Sequence, residues 1–361
     1  MVYRYSFRIA AVIIVMALFV GIAQYLPFLV VNRPLKSLCV YTWQDKIDEQ
    51  VFIDFAQKTG IKIYVNYYDS CEELFAKLDI AQEPDADVII VPALILTDLI
   101  RAQLIQKLDH DRLDFIHRIY PELLHIMYDP ENEYTMPLLW DFSVLGYSKS
   151  YFPQGLQDPT WGMIFDKDQV PCPKISMLDD AREAMCLAMR YVNISLHEKP
   201  SQEDYEKIVQ LFKNQKPWVG VYTDYLQGYF LTAKTYPLVV SQRENVIKEM
   251  IDNPDIAFAL PKEGSLLFID NVALSAHCKP EREQWAYDLI NYLFSKEIAL
   301  HNTQEFAVLS SLKDVMEEAG PEYVGLPDVL PGQARFSDLQ LFANHFTLKQ
   351  ITDMWVHVRS S

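Results

Sequence analysis

The 361-residue chain is long enough for two domains of ordinary size, and with half its residues hydrophobic and 13% aromatic it can bury a substantial core. That composition argues against a disordered chain. The net charge of -17 argues against a nucleic-acid backbone as partner, since phosphate binding needs clustered Lys and Arg. An acidic surface favours a cationic ligand, or it serves solubility alone.

The chain opens with Arg4 and Arg8 ahead of an almost unbroken apolar stretch, Ile9 to Val31. Such a run is an export signal or, being long enough to span a bilayer as a helix, a retained anchor. Residues 1–37 are therefore expected to be a signal peptide or N-terminal membrane anchor, with Gly21 and Ala23 offering a cleavage point and the folded part outside the cytoplasm.

From Leu38 the pattern alternates strand and helix. Leu38 to Tyr41 is a short apolar strand, and Ile47, Val51, Phe52 and Phe55 recur at helical spacing before Gly60 stops the helix. Ile61 to Tyr67 reads as a strand. A helix with Leu74, Phe75 and Leu78 on one face follows, then a buried strand at Val88 to Val91 and a helix carrying Leu96, Leu99 and Ile100. This succession predicts a parallel sheet with helical crossovers. In such sheets ligands bind beyond the carboxyl ends of strands. Trp43, Gln44 and Asp45 follow the first strand, Ala93 to Ile95 follow another, and Pro137 to Gly146, with Trp140 and Asp141, is expected to be a third loop.

The middle of the chain brings a helix after Asp180, a polar helix beginning near Ser201 and a strand at Leu238 to Val240. Phe268 to Leu274 is expected to be another strand, and the helix with Trp285, Leu289, Tyr292 and Leu293 to return to the first domain. Asp180 and Glu183 stand one helical turn apart. That spacing is a capping box, and two carboxylates there also make an anionic site for a cation. Asp45 has the same double meaning, as a cap for a helix starting near Lys46 or as a ligand group. Trp43 is either a core aromatic at a strand end or a wall of a site. Asp270, inside the apolar run Leu266 to Leu274, needs a site or a salt bridge to offset its burial.

Catalytic signatures are missing: there is no Gly-x-Ser-x-Gly elbow, no Gly-rich phosphate loop and no His-Glu-x-x-His run. The eight histidines are dispersed, and the five cysteines (Cys39, Cys71, Cys172, Cys186, Cys278) lack a Cys-x-x-Cys pair, which disfavours a zinc ribbon or redox motif.

Several segments together resemble the spermidine/putrescine-binding periplasmic proteins, the substrate-binding subunits of polyamine ABC importers. They are Leu-Cys-Val-Tyr-Thr-Trp-Gln-Asp (38 to 45), Phe-Ala-Lys-Leu (75 to 78), Asp-Val-Ile-Ile-Val-Pro (87 to 92), Asp-Asp-Ala-Arg-Glu (179 to 183) and Pro-Lys-Glu-Gly (261 to 264), with Asp270 six residues on. The resemblance implies an α/β type II periplasmic binding fold, two α/β lobes joined by two crossing segments near Gly146 to Lys149 and Phe268 to Leu274, with a ligand cleft between them. The expected lobes are 38–147 with 270–315 and 148–269 with 316–361.

By the same resemblance, Asp45, Asp180, Glu183 and Asp270 are cleft acids and Trp43, Phe268 and Phe306 cleft aromatics. The implied partners are a polyamine and an ABC permease, with no cofactor, no metal, no covalent chemistry and a monomeric state. Departures from the family pattern are Ala93 and Ile95 in place of a hydroxyl-bearing pair, and Lys46 and Val240 at aromatic positions. Two alternatives stay open: a binding protein for another small cationic ligand, and a membrane-anchored sensor or structural subunit.

Overall fold

The computed structural model describes residues 36–44, 46–80, 86–342 and 346–360. Residues 1–35 of the expected export or anchor stretch and the candidate Asp45 lie outside the described residues, whereas Ser37, the last residue of that stretch, is buried at the start of the first strand and so belongs to the folded part. Among those described, no helix is long and apolar enough to cross a membrane.

The first elements follow the hydrophobic pattern. Strand β1 (Ser37–Thr42) is followed by helix α1 (Glu49–Thr59), β2 (Lys62–Tyr67), α2 (Cys71–Ile80), β3 (Val88–Pro92) and α3 (Ala93–Arg101). Helix α1 buries Val51, Phe52 and Phe55, and Gly60 ends it at φ 72°. Its N-cap is Asp48, whose carboxylate accepts from Gln50 N at 2.9 Å. The helix therefore starts three residues later than expected, and the capping role foreseen for Asp45 belongs to Asp48.

Pro137 to Gly146 is not a loop. It forms the middle of β4 (Thr135–Ser148), a 14-residue strand buried along nearly its whole length. Proline in a strand interior removes a ladder hydrogen bond, so Pro137 needs a special place in the sheet. Here it sits beside an irregularity in the ladder, where the register shifts between Asp270 and Asn271 of the neighbouring strand.

The chain then forms β5 (Ile175–Met177), α4 (Ala181–Tyr191), α5 (Gln202–Gln215), β6 (Val219–Tyr222), β7 (Leu238–Gln242), α6 (Arg243–Asp252), β8 (Ile256–Ala259), β9 (Ser265–Ser275), α7 (Pro280–Leu293), α8 (Lys296–Phe306) and α9 (Leu348–Ser360). Asp180 caps α4 through a bond from Glu183 N, and Ser201 caps α5 in a reciprocal box with Asp204. Helix α7 returns to pack against β1, as expected, while α9 lies against α4 and α5.

Strand order is β2-β1-β3-β9-β4-β7-β5-β6, with β8 also pairing β4. Strand β1 is parallel to β2 and β3, and β5 is parallel to β6 and β7. Between these two parallel sets run β9 and β4, antiparallel to each other and to their outer neighbours. Strand β4 changes partners midway: Thr135 to Phe142 pair with β9, and Ser143 to Ser148 pair with β7 and β8. One continuous strand thus belongs to both halves of the sheet. This is the two-lobed α/β architecture that the sequence predicts, and the change of partner between Phe142 and Ser143 lies ahead of Gly146 to Lys149.

The largest apolar cluster spans both halves, joining Leu38, Phe52 and Val88 to Val239, Val246 and Ile256 through Phe142 and Val144, and two smaller ones lie within single halves. One gathers Trp161, Phe165, Met185, Leu187 and Phe212 around α4 and α5, and another gathers Leu74, Ile89, Leu96 and Leu99 around β3 and α3. At the entry to β9, Trp161 Nε1 donates to the Gly264 carbonyl at 2.7 Å. Gly264 has φ +76°, and a Cβ there would lie 2.0 Å from the Asp338 carbonyl oxygen. Gly264→Ala should therefore cost about 1–2 kcal/mol, from left-handed strain and a clash with backbone. Urea denaturation reads this out, and an unchanged midpoint would show that the turn relaxes freely.

Candidate functional site

The residues beyond the carboxyl ends of the strands converge where the two halves of the sheet meet. Lys46, in the loop after β1, donates through Nζ to both carboxylate oxygens of Glu244 at 2.9 and 3.0 Å. Glu244 lies in the first turn of α6, after β7, so this pair joins the two parallel sets. Burial lowers the Lys46 pKa, but the opposing fields of Glu244, Asp270 and Asp141 outweigh it and hold the ammonium above its ordinary value.

Around this lysine stand two of the predicted acids. Asp270 occupies β9, where Phe268, two residues back, shares its face; both are partly exposed while Leu267 and Ile269 are buried. Burial raises the Asp270 pKa, Lys46 opposes the rise and Glu244 adds to it. Glu183, in the first turn of α4, is raised well above the carboxylate range, first by burial and then by Asp180 and Asp224. Lys46 and a 3.4 Å contact from Gln242 Nε2 pull it down again.

Asp180 itself is exposed, and its Oδ1 accepts from Glu183 N at 2.8 Å. Only half of the expected capping box forms: Asp180 caps the helix, while its own N–H goes to Asp224 and leaves the Glu183 side chain out of the box, with Asp180 adding negative field beside it. Behind them Asp224 fixes the loop before α4, accepting from Asp179 N and Asp180 N at 2.7 and 3.0 Å.

The aromatic candidates separate. Trp43 is half-buried, with its ring centroid 4.4 Å from that of Tyr68. Tyr68 donates to the Ile90 carbonyl at 2.7 Å, and burial followed by the field of Asp270 raises its pKa. Trp43 and Tyr68 thus form an aromatic pair on the Asp270 side. Phe268 packs edge-on against Phe342 at 5.7 Å. Phe306 ends α8 with the Lys248 ammonium 5.5 Å over its ring, so a cation of the chain already occupies that face.

Sequence reasoning missed two residues and gave a third the wrong setting. Tyr68 and Glu244 follow the ends of β2 and β7, and the rule that selected Trp43 would have found both. Asp141 was placed in a loop; it is buried in β4, where Arg243 Nε and Nη2 reach its two oxygens at 2.9 and 3.1 Å. Phe142 N and Glu244 N also donate to it, at 2.7 and 3.2 Å. Burial pushes Asp141 up to about 6, against the pull of Arg243. No sequence pattern announces a pair 102 residues apart.

At the rim, Arg182 of α4 donates to Glu72 of α2 at 2.8 Å, a second link between the halves. Two hollows lie elsewhere, one of about 410 Å3 near Ser148, Lys174 and Lys234 and one of about 540 Å3 behind Phe52 and Val65. Neither is lined by the converging acids, and the acid cluster is where charge and aromatic rings combine. Among the described residues, no group of three or more His, Cys, Asp or Glu side chains is arranged to hold a metal ion. None of the five cysteines forms a disulfide, and four are buried.

Buried acids, a bridging lysine and an aromatic pair thus come together where the two halves of the sheet join. Residues 50–327 match the family model of the bacterial extracellular solute-binding proteins. The chain belongs to that family. This solute-binding protein is 26% identical over 281 residues to the putrescine-binding periplasmic protein PotF of Escherichia coli (strain K12), covering 74% of this chain and 75% of that protein. It is also 26% identical over 270 residues to the spermidine/putrescine-binding periplasmic protein of Salmonella typhimurium, over 73% and 74% of the respective chains. In fold it is similar to the spermidine/putrescine ABC transporter substrate-binding protein PotD from Streptococcus pneumoniae, with a TM-score of 0.75, 20% identity and coverage of 90% of this chain and 99% of that one.

Proposed function

We propose that this solute-binding protein captures a polyamine of the putrescine or spermidine class outside the cytoplasm and presents it to an ABC permease. The observation that carries the reading is that Glu183, from one half of the sheet, and Asp270, from the central strand, both feel the Lys46 ammonium that bridges the halves, with the Trp43–Tyr68 pair on the Asp270 side. A polyamine is a string of ammonium groups joined by methylenes. Spaced carboxylates pair with its charges and aromatic rings cover its apolar links. Charged hydrogen bonds contribute roughly 1.5–3 kcal/mol each and a desolvated cation–π contact about 2. Three or four of these support micromolar affinity, which needs about 8 kcal/mol net.

In this reading Glu183, with Asp180 beside it, serves one lobe (148–269 with 316–361), Trp43 and Asp45 the other (38–147 with 270–315), and Asp270 the crossing between them. Phe268 adds an apolar wall, and Phe306 lies behind Lys248. Ligand that bridges the lobes favours their closed arrangement, and the protein performs no covalent chemistry. The names and shared sequence of the periplasmic relatives support both the ligand class and a periplasmic location. The segment ahead of Ser37 then acts as export signal or inner-membrane anchor, and N-terminal sequencing of the mature protein distinguishes the two.

Calorimetry with putrescine, spermidine and thiamine tests the ligand class. A hundredfold excess over Kd of the true ligand should stabilise the fold by about 2.7 kcal/mol, visible as a higher Tm. Heat and stabilisation from thiamine but neither amine would replace the polyamine with another cation.

A further inference from the structure

We propose that Lys46 is a tethered ammonium that fills one ammonium position of the cleft, so that the ligand is a diamine and not a triamine. The inference rests on the amine reading above and concerns how many charges that site accepts.

Lys46 and Glu244 are 198 residues apart and come from opposite halves of the sheet, yet the ammonium engages both carboxylate oxygens. Their side chains are only 18% and 9% exposed, so this is not a loose surface pair. Glu244 is fixed from behind as well, since its backbone N–H donates to Asp141, which Arg243 holds on the other side. A charge placed this deeply is costly unless its geometry and partners are good, and here they are.

The pairing leaves a defined remainder. Arg243 neutralises Asp141, Lys46 neutralises Glu244, and at the rim Arg182 neutralises Glu72. Among the described acids of the cluster, Asp180, Asp224, Glu183 and Asp270 have no ion-pair partner; Asp180 and Asp224 accept backbone N–H groups at the start of α4, while Glu183 and Asp270 feel Lys46 as a neighbouring charge. Among the described residues, Glu183 and Asp270 are thus the two buried acids left for ligand ammonium groups. A third ammonium of the ligand would meet Glu244 already taken and would crowd the Lys46 ammonium.

Removing the lysine should convert Glu244 into a third position, because a carboxylate left unpaired in a partly dry site gains most from a new cation. Titration calorimetry with putrescine and spermidine compares wild type, Lys46→Met and Lys46→Arg. Wild type is expected to favour the diamine by about tenfold or more, Lys46→Met to shift the ratio toward the triamine by about tenfold, and Lys46→Arg to keep the wild-type order. If Lys46→Met fails to fold, Lys46→Gln carries the same expectation. Amine binding with a diamine-to-triamine ratio that stays within about twofold in the lysine variants overturns the inference and leaves the amine reading standing. An absence of heat from both amines in every protein overturns the amine reading, and this inference with it.

Discussion

Arg243→Met is expected to lose about 3–5 kcal/mol of stability, the cost of stranding a buried carboxylate. Arg243 is fully buried, and besides Asp141 it donates to the Tyr323 carbonyl at 2.6 Å and to the Ala307 carbonyl. It therefore ties the point where β4 changes partners to the segments after α8. Removing it leaves Asp141 with two backbone donors and no counter-charge. The double variant Asp141→Leu with Arg243→Met should recover much of the loss, since a buried ion pair replaced by apolar groups is often neutral. Urea denaturation measures both by linear extrapolation. A loss below about 1 kcal/mol in the single variant would mean that water reaches the site and screens the charge.

The same pair sets a pH dependence. In the folded wild type burial pushes Asp141 up to about 6, above its ordinary value of 3.8, so the folded state holds the proton more tightly than the unfolded chain does. Stability from this group is therefore greatest below the unfolded value and falls as pH rises through the folded one. In Arg243→Met the folded value moves further up, and the destabilisation should shrink as the solution is acidified.

Combining Glu183→Gln with Asp270→Asn is expected to weaken amine binding by about a hundredfold, roughly 2.8 kcal/mol, with each single change costing about tenfold. Each amide keeps the shape of the acid and removes its charge. Both residues feel Lys46, so departure from additivity would measure their coupling through it. Burial raises both acids above their ordinary values, and a bound ammonium opposes that rise, so binding favours their ionised forms. Amine affinity should accordingly rise with pH until both acids are ionised unaided. Calorimetry in buffers of different ionisation enthalpy detects the released protons. A double variant that binds amine like wild type would remove these acids from the site.

Local signals in the sequence were sufficient for most elements. The 3.6-residue spacing of Val51, Phe52 and Phe55, the unbroken apolar run at Val88 to Val91 and the caps at Ser201 and Asp180 each act over a few residues, and each forms as expected. Asp270 was singled out because a carboxylate in an apolar run is costly without a partner, whereas Phe268 entered only through the family resemblance. The first helix slipped by three residues because Asp45 and Asp48 are both competent caps, and only the folded backbone chooses between them.

The sequence by itself determined the alternation of strand and helix, the acidic character, the apolar run from Ile9 to Val31 and the resemblance to solute-binding proteins, all properties of neighbouring residues or of the chain as a whole. The tertiary structure alone decided that residues 137–146 run through as strand, that Arg243 closes on Asp141, and that Lys46 reaches Glu244 across 198 residues. Pairing between distant segments depends on burial and on which strands lie side by side. Hydrophobic periodicity carries no record of either, because it reports which face of an element is apolar and not which charge will lie opposite it.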